Sequence, residues 1–227
     1  GGQLLYPGLL FSTLPMVYGS NYVAVLLGRG DGTFYLLKEK LYSGASPHSV
    51  AVADFNKDGK TDLAVGNLGA ETVSVFLGRG NGTFAAAKHY KAGTWPYSVA
   101  VADVNEDGNI DLVGANFGTH DVYILPGRGD GSFEPATRFA VGLLPSVVGI
   151  GDFDNDGHQD LAVTNELSYT VSIYMGKGDG TFDFGADFVA GKRPTAVTVG
   201  DFNMDEKLDL AVSNWYTDDV TVMLNNF

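Results

Sequence analysis

The chain has 227 residues, a formal net charge of −13, 44% hydrophobic and 12% aromatic residues, and no cysteine. The negative charge disfavours nucleic acid and anionic membranes as partners, and the lack of cysteine excludes disulfides and thiolate metal sites. Residues 4–18 are apolar but contain Pro7 and Pro15 and follow no basic residue. They therefore predict neither a signal peptide nor a membrane-inserted segment.

An acidic segment recurs four times at intervals of 49 residues. It reads DFNKDGKTD from Asp54, DVNEDGNID from Asp103, DFDNDGHQD from Asp152 and DFNMDEKLD from Asp201. A fixed period of this length is typical of repeat architectures. We expect a single domain over residues 1–227, built from repeats at about 1–46, 47–95, 96–144, 145–193 and 194–227.

Each repeat predicts four short antiparallel strands, A to D. In the second repeat, strand A covers residues 49–55, the acidic loop follows, and strand B covers 62–67. Strand C covers 73–77, and a glycine-rich turn leads into strand D at about 84–90. No window shows the 3.6-residue periodicity of a helix. Four strands per unit, repeated about five times, predict an all-β fold, a β-propeller of four-stranded antiparallel blades.

The number of blades depends on how the two ends of the chain are used. Strand C occurs five times, from 23–27 to 220–224, whereas strand A with its acidic loop occurs four times. The last repeat has no strand D. We expect five blades, with residues 4–14 forming either strand A of the first blade or a strand D that closes the last one. Closure would remove exposed sheet edges.

The acidic loops carry the ligands that calcium prefers. Oxygen side chains stand at loop positions 1, 3, 5 and 9, and a backbone carbonyl is expected from position 7. About four structural calcium ions are predicted, although an acidic hairpin without metal remains the alternative. Glu206 stands where the other loops have glycine, so a positive φ would strain it. The predicted ligands are Asp54, Asn56, Asp58, Lys60, Asp62, Asp103, Asn105, Asp107, Asn109, Asp111, Asp152, Asp154, Asp156, His158, Asp160, Asp201, Asn203, Asp205, Lys207 and Asp209.

These motifs resemble the FG-GAP/VCBS repeat family, the integrin-α-like propellers of secreted and cell-surface proteins. The resemblance rests on VAVADFNxDGxxDLAVxN followed by VSVxLGxGDGTF, and it covers roughly residues 16–227. It implies a propeller with calcium in the A–B hairpins that serves recognition or adhesion outside the cell or on its surface. Family members are more often seven-bladed, so both a small propeller and a piece of a larger protein stay open.

Antiparallel strand order separates two ends of each blade. The acidic loops and C–D turns share one end (the acidic end), and the B–C and D–A loops share the other (the variable end). The variable-end loops differ between repeats and contain aromatic residues that would suit a sugar or a protein; packing over the blade rims is the alternative. The candidate ligand-binding residues are Trp95, Tyr97, Phe117, His120, Tyr169, Trp215 and Tyr216.

The sequence favours a non-enzymatic protein that binds a glycan or an extracellular protein. The histidines show no arrangement typical of catalysis. A lectin with several equivalent sugar sites is one alternative; another is a structural repeat segment of a larger surface protein or polysaccharide-acting enzyme. A polysaccharide lyase-like domain is the remaining enzyme hypothesis. Asn67, Asn116, Asn165 and Asn214 end the four B strands and predict a shared turn hydrogen bond.

Overall fold

A computed structural model describes residues 21–226 as an array of antiparallel β-sheets. No residue in that range lies in a helix, and accordingly none of it forms a helix able to span a membrane. The prediction of an all-β chain is confirmed for the described residues. Residues 4–14, which are predicted to form strand A of the first repeat or strand D of the last, lie outside the described residues.

Nineteen strands follow one another in the described range. They are β1 (Tyr22–Val23), β2 (Leu26–Gly28), β3 (Phe34–Leu36), β4 (Leu41–Tyr42), β5 (Pro47–Ala53), β6 (Asp62–Asn67), β7 (Thr72–Phe76), β8 (Lys88–Lys91), β9 (Ala100–Ala102), β10 (Asp111–Asn116), β11 (Asp121–Leu125), β12 (Thr137–Ala140), β13 (Pro145–Gly151), β14 (Asp160–Asn165), β15 (Thr170–Gly176), β16 (Phe182–Val189), β17 (Pro194–Gly200), β18 (Asp209–Asn214) and β19 (Asp219–Met223).

The strands form sheets in chain order, as the repeat predicts. Three sheets have four strands (β5 to β8, β9 to β12 and β13 to β16), and the last has three (β17 to β19). In the first repeat, β1 pairs with β4 and β2 with β3, which together form one interrupted C–D hairpin. Strand B begins and ends where the sequence predicts. Strand D of the second repeat is shorter than expected, because Phe84 makes only an isolated bridge to Gly78.

The hydrophobic cores lie between successive sheets. One core joins Phe55 and Val73 of the second repeat to Leu112 and Phe133 of the third. Two further cores join the third repeat to the fourth and the fourth to the fifth, and a smaller one joins the first to the second. All six residues of β6, β10 and β14 are buried, because each B strand is covered on both faces. Each sheet therefore depends on its neighbours, as in other repeat proteins.

The described array is open at its last sheet. Val73 and Val75 are buried against the next sheet, but Val220 and Val222, three periods later, are 63% and 54% exposed. No described sheet closes on itself, and the number of blades is not fixed by these residues. What the structure shows is a propeller-like series of antiparallel four-stranded units.

Candidate metal loops and ligand surface

The four acidic loops share one hydrogen-bonding plan. In the third loop, Asp152 accepts hydrogen bonds from the backbone amides of Asp156 and Gly157 at 3.1 and 2.9 Å. Asp156 in turn accepts one from the amide of His158 at 2.8 Å. The equivalent bonds to the amides at positions 6 and 7 recur in every loop. The side chains at positions 1 and 5 therefore fold the loop, which gathers their oxygens around one point.

Two residues in each loop adopt left-handed backbone conformations. Position 4 does so without glycine, with φ between 56° and 64° at Lys57, Glu106, Asn155 and Met204. At position 6 the first three loops have glycine with φ of 80° to 93°, whereas Glu206 has φ of 68°. The strain expected at Glu206 is therefore present, since a side chain in this region crowds its own backbone.

The aspartate at position 9 links the acidic loop to the C–D turn. Asp62 is fully buried, and its carboxylate accepts hydrogen bonds from the amides of Phe55 at 2.9 Å and Gly78 at 2.6 Å. Asp111 and Asp160 are held in the same way. In the last repeat, Asn225 takes the place of the turn glycine as donor to Asp209. Burial raises the pKa of Asp111 to about 6 and also raises that of Asp160.

The residues present fit a calcium ion. Carboxylate oxygens of Asp152, Asp154 and Asp156 lie within 4.8 Å of one another. In the second loop, Oδ1 of Asp103 is buried without a hydrogen-bond partner, and a bound cation would satisfy it. The position-9 carboxylate oxygens each keep a lone pair after accepting one backbone bond. Hard carboxylate and amide oxygens are the donors that calcium selects.

Side chains at position 7 differ from loop to loop. The Lys60 ammonium pairs with Asp58 at 2.9 Å, and this hydrogen bond lowers the pKa of Asp58. His158 instead contacts Glu106 of the preceding loop, which raises the pKa of His158. The predicted calcium ligand at position 7 is the backbone carbonyl and not the side chain. These side-chain contacts therefore do not test that prediction. They show that neighbouring loops touch.

At the variable end, the asparagine that closes each B strand makes the predicted turn hydrogen bonds. Nδ2 of Asn165 donates to the hydroxyls of Ser172 at 2.8 Å and Thr170 at 3.3 Å. The D–A loop passes so close that a Cβ on Gly142 would lie 2.4 Å from Cγ of Asn165. Comparable crowding recurs at Gly44, Gly93 and Gly191 against their own asparagines. The repeated glycine is thus explained by this contact.

Three rings, two of which are stacked, lie against one another across the second and third repeats. The rings of His48 and Tyr97 have centroids 4.1 Å apart, and those of Tyr97 and Phe117 are stacked at 5.3 Å. Nδ1 of His48 also lies 2.9 Å from the carbonyl oxygen of Tyr97. Two of the predicted ligand-binding residues, Tyr97 and Phe117, are therefore brought together, with a histidine from the adjoining repeat.

A charged pair lies beside this stack. Glu166 is only 2% exposed, and its carboxylate accepts hydrogen bonds from Nε and Nη2 of Arg193 at 3.2 and 2.8 Å. The guanidinium group lies 4.5 Å from the ring centroid of Trp215, which is 48% exposed. Burial raises the pKa of Tyr97, and the charge of Glu166 adds to that rise. We call His48, Tyr97, Phe117, Glu166, Arg193 and Trp215 the variable-end cluster.

Sequence reasoning missed the ionic half of this cluster. Glu166 follows the strand-B asparagine, where other repeats have Leu68, Phe117 and Trp215. Arg193 directly precedes a proline that recurs every 49 residues, and the other repeats have Ser46, Trp95 and Leu144 at that position. The sequence did contain a signal for this ion pair. Glu166 and Arg193 are charged, whereas the other repeats have apolar or small residues at the equivalent positions. Both departures lie in the fourth repeat and carry opposite charges.

The remaining candidate residues are Trp95, His120, Tyr169 and Tyr216, and the carbonyl oxygen of Trp95 accepts a hydrogen bond from the amide of Phe117 in the cluster at 2.9 Å. Trp95, His120 and Tyr169 each have φ between 56° and 58° in the loops of the variable end. Nδ1 of His120 accepts a hydrogen bond from the amide of Leu144 at 3.0 Å, so this side chain supports the next D–A loop. Tyr169 and Tyr216 are 40% and 67% exposed.

The repeats match a family model described as "FG-GAP-like repeat" over residues 10–65, 54–114, 103–163 and 152–212. The chain belongs to the FG-GAP-like repeat family. These four matches overlap in tandem and include all four acidic loops. The resemblance inferred from the sequence is thereby confirmed. A comparison with curated protein sequences gives no match.

Solved structures similar to this FG-GAP-like chain support a propeller-like fold. The periplasmic gluconolactonase of Pseudomonas aeruginosa matches 88% of the chain and 58% of its own length, with 18% identity and a TM-score of 0.61. An auxiliary nutrient binding protein of Bacteroides ovatus matches 86% and 51%, with 12% identity and a TM-score of 0.57. The V. cholerae biofilm matrix protein Bap1 matches 91% and 38%, with 14% identity and a TM-score of 0.53. The chain spans less than two thirds of each, and at these identities the likeness shows the fold alone.

Proposed function

We propose that this chain is a calcium-stabilised, non-enzymatic propeller of five blades that recognises a glycan or protein ligand outside the cell or at its surface. One observation carries the proposal. The acidic end repeats a single loop design four times, whereas the variable end differs between repeats and brings the half-buried Tyr97 and Phe117 and the exposed Trp215 together beside the Glu166–Arg193 ion pair. A repeated end suits a scaffold, and a varied end on a rigid scaffold suits recognition.

The calcium part of the proposal is supported by charge as well as geometry. The predicted side-chain ligands include thirteen carboxylates in a chain of net charge −13. Four calcium ions would add eight positive charges and leave about −5, which is ordinary for a soluble domain. Extracellular sites bind calcium with Kd of about 10⁻⁴–10⁻³ M. At tenfold excess each site would add about 1.4 kcal/mol of stability, so calcium would stabilise the loops and leave recognition to the other end.

The recognition part is supported by the variable-end cluster. Trp215 is half exposed and supported from one side by Arg193, whose own position is fixed by Glu166. Rigid aromatic and arginine side chains of this kind dominate binding energies at protein surfaces, and sugars stack on such rings. The cluster draws residues from four successive repeats, so a ligand there would depend on the assembled array.

A lectin with several equivalent sugar sites is less well supported. The residues that follow the D–A prolines are His48, Tyr97, Ser146 and Thr195, and they differ in size, polarity and charge. Sites built from them would not be equivalent. We therefore favour one composite site over a ring of similar ones.

The proposal places no reaction at the cluster. The carboxylate of Glu166 is buried and paired with Arg193, so it is not free to act as a general base. The similar gluconolactonase, nutrient binding protein and biofilm matrix protein differ in their named roles, which agrees with one fold serving several functions. Because the chain spans only part of their lengths, it could equally serve as the recognition segment of a larger surface protein or polysaccharide-acting enzyme.

A glycan array probed with calcium and with a chelator, together with thermal melting in both buffers, tests the proposal. We expect chelation to lower the melting temperature and to weaken a selective glycan signal. Melting that is unchanged by the chelator would contradict the calcium proposal. If the folded protein binds no sugar on the array, a protein ligand is favoured. The variants described below can then be used to test candidate protein ligands.

Trp215→Ala and the matched control Tyr35→Ala locate the site. Both aromatics are exposed and both stack with an arginine, but Tyr35 contacts Arg29 in the first repeat, 5.5 Å from the ring centroid. We expect Trp215→Ala to weaken ligand binding on the order of tenfold or more, with the melting temperature retained. Tyr35→Ala should leave binding intact. Equal effects of the two would rule out the variable-end cluster as the site.

A further inference from the structure

The C–D turn of the second repeat carries an amide where the other glycine-rich C–D turns carry a carboxylate. Asn81 stands where the first, third and fourth repeats have Asp31, Asp130 and Asp179. It is followed by Gly82, and nowhere else in the sequence does glycine follow asparagine. Asn-Gly and Asp-Gly both suit a tight hairpin turn. The chemistry of the side chain, and not the shape of the turn, therefore sets this repeat apart.

The side-chain carbonyl of Asn81 accepts two hydrogen bonds from one residue. Its Oδ1 accepts from the backbone amide of Thr83 at 3.0 Å and from the hydroxyl of Thr83 at 2.7 Å. Because a backbone amide can only donate, the atom that faces it is the oxygen and not Nδ2. Asn81 is exposed to solvent. The carbonyl is thus polarised by two donors, and water can reach the side chain.

The residue that follows is one that the fold requires to be glycine. Gly82 has φ of 84°, and a Cβ there would lie 2.7 Å from Cδ1 of Leu27 in the first repeat. Without a Cβ, the backbone nitrogen of Gly82 is little hindered. If this nitrogen attacks Cγ of Asn81, negative charge develops on Oδ1, where the two donors of Thr83 already lie. The turn therefore combines an unhindered nucleophile with a polarised carbonyl.

We propose that Asn81 is a site of spontaneous deamidation in the folded protein and that its turn accepts the aspartate that results. The nitrogen of Gly82 forms a bond to Cγ of Asn81 and loses its proton, the bond from Cγ to Nδ2 breaks, and ammonia leaves. Water then opens the cyclic imide at Cγ to give aspartate, or at the backbone carbonyl of residue 81 to give isoaspartate. Water is the only co-reactant, so the reaction needs neither calcium nor a ligand.

The other repeats show how the turn holds the aspartate product. Oδ1 of Asp31 accepts from the amide and hydroxyl of Thr33 at 2.9 and 2.6 Å, and Asp179 accepts from Thr181 at the same distances. The hydrogen bonds from these threonine hydroxyls lower the pKa of both aspartates. An aspartate at position 81 would make the same bonds as an ionised side chain at neutral pH. Deamidation therefore gives the second repeat the turn that its neighbours have.

The isoaspartate product does not fit the same turn. It adds one carbon to the backbone between residues 81 and 82. The turn is closed by a hydrogen bond from the amide of Arg79 to the carbonyl oxygen of Thr83 at 2.9 Å. A longer backbone displaces this bond, so we expect aspartate to preserve the turn and isoaspartate to loosen it.

Peptide mapping by mass spectrometry tests the site in the folded chain. The protein is incubated at mildly alkaline pH, and samples are digested with a protease that cleaves before aspartate but not before isoaspartate. We expect the mass increase caused by exchange of NH for O only in the peptide that contains Asn81. The other asparagines, all followed by larger residues, are internal controls. Conversion only in protein unfolded by urea would mean that the turn protects Asn81, and would overturn the proposal.

Thr83→Val tests the role of the hydroxyl, and Thr83→Ser is its matched control, since Ser132 holds Asp130 in the same way. We expect Thr83→Val to slow the loss of Asn81 severalfold and Thr83→Ser to retain the original rate. Thr33→Val removes the equivalent bond in the first repeat, so it reports the effect of that loss on the melting temperature without a change at Asn81. Equal rates for valine and serine at position 83 would show that the hydroxyl does not promote the reaction.

Asn81→Asp tests whether the turn accepts the product. We expect this variant to keep the melting temperature of the unmodified protein, because the carboxylate replaces the amide as acceptor for the same two donors. A clear fall in melting temperature would overturn this part of the proposal. Ligand binding and calcium enter none of these measurements, so their outcome is independent of the proposed function.

Discussion

At the scale of single residues, crowding between a glycine and an asparagine fixes the variable end of each unit. A Cβ on Gly142 would lie 2.4 Å from Cγ of Asn165, whereas one on Gly44 would lie 2.9 Å from Cγ of Asn67. A Cβ on Gly66, inside β6, would meet its nearest neighbour, the carbonyl oxygen of Pro96, at an ordinary 3.5 Å. The distances therefore rank the three glycines by the room that each would leave for an added methyl group.

Alanine substitutions at these glycines should reduce stability in the order of the crowding. We expect Gly142→Ala to cost about 1–3 kcal/mol, as overpacking does in other cores, and Gly44→Ala to cost less. Gly66→Ala should be near zero or slightly stabilising, because alanine loses less backbone entropy on folding. Urea unfolding measures the three free energies, and a cost for Gly66→Ala equal to that for Gly142→Ala would contradict the explanation.

At the scale of the β elements, one buried aspartate ties two hairpins together. The carboxylate of Asp160 accepts from the amides of Phe153 and Gly176, both at 2.7 Å, and thereby joins the A–B loop to the start of the C–D turn. Asp62 and Asp111 make the same two hydrogen bonds in the second and third repeats. The acidic end therefore has a structural role before any metal is considered.

Asp160→Ala should destabilise the calcium-free protein by about 2–4 kcal/mol, because two backbone amides would lose their buried acceptor. Asp183→Ala is the matched control, since Asp183 is an exposed aspartate paired with Lys177. Exposed pairs of this kind contribute little, so its effect should stay within about 0.5 kcal/mol. Urea unfolding in chelator makes the comparison, and similar losses for the two variants would show that the buried bonds add no stability.

At the scale of the whole molecule, charge and open surface set the behaviour of the array. The chain has 27 acidic residues against 14 basic ones, and many of the acids are concentrated in four loops at one end. Like charges held together repel, and dissolved salt weakens the repulsion between exposed charges over a screening length of about 10 Å at ordinary ionic strength. Calcium ions bound in the loops would remove much of the same repulsion.

Added sodium chloride should therefore raise the melting temperature in chelator and have a smaller effect in calcium. The acidic loops are exposed in part, so screening can reach them. Thermal melting over a salt series in both buffers tests this, with a potassium chloride series as a check that the effect is one of ionic strength. An equal salt effect with and without calcium would show that the loops are not where the repulsion lies.

Much of this protein can be predicted from the sequence because its signals are local and repeated. The bounds of strand B and the asparagine hydrogen bonds follow from residue patterns within one unit. The acidic loops follow in the same way, since their side chains bond to amides two to five positions along the chain. The short strand D was not predictable, because its pairing depends on where Phe84 and Phe133 pack in the preceding repeat.

The sequence alone determined the repeat, the antiparallel four-stranded unit and the separation of a constant end from a varied one. The tertiary structure alone decided which varied residues meet: it paired Glu166 with Arg193, 27 positions apart, and placed Trp215 on that pair. Contacts between successive units cannot be derived from the pattern inside one unit, because they depend on the angle and distance at which whole sheets pack.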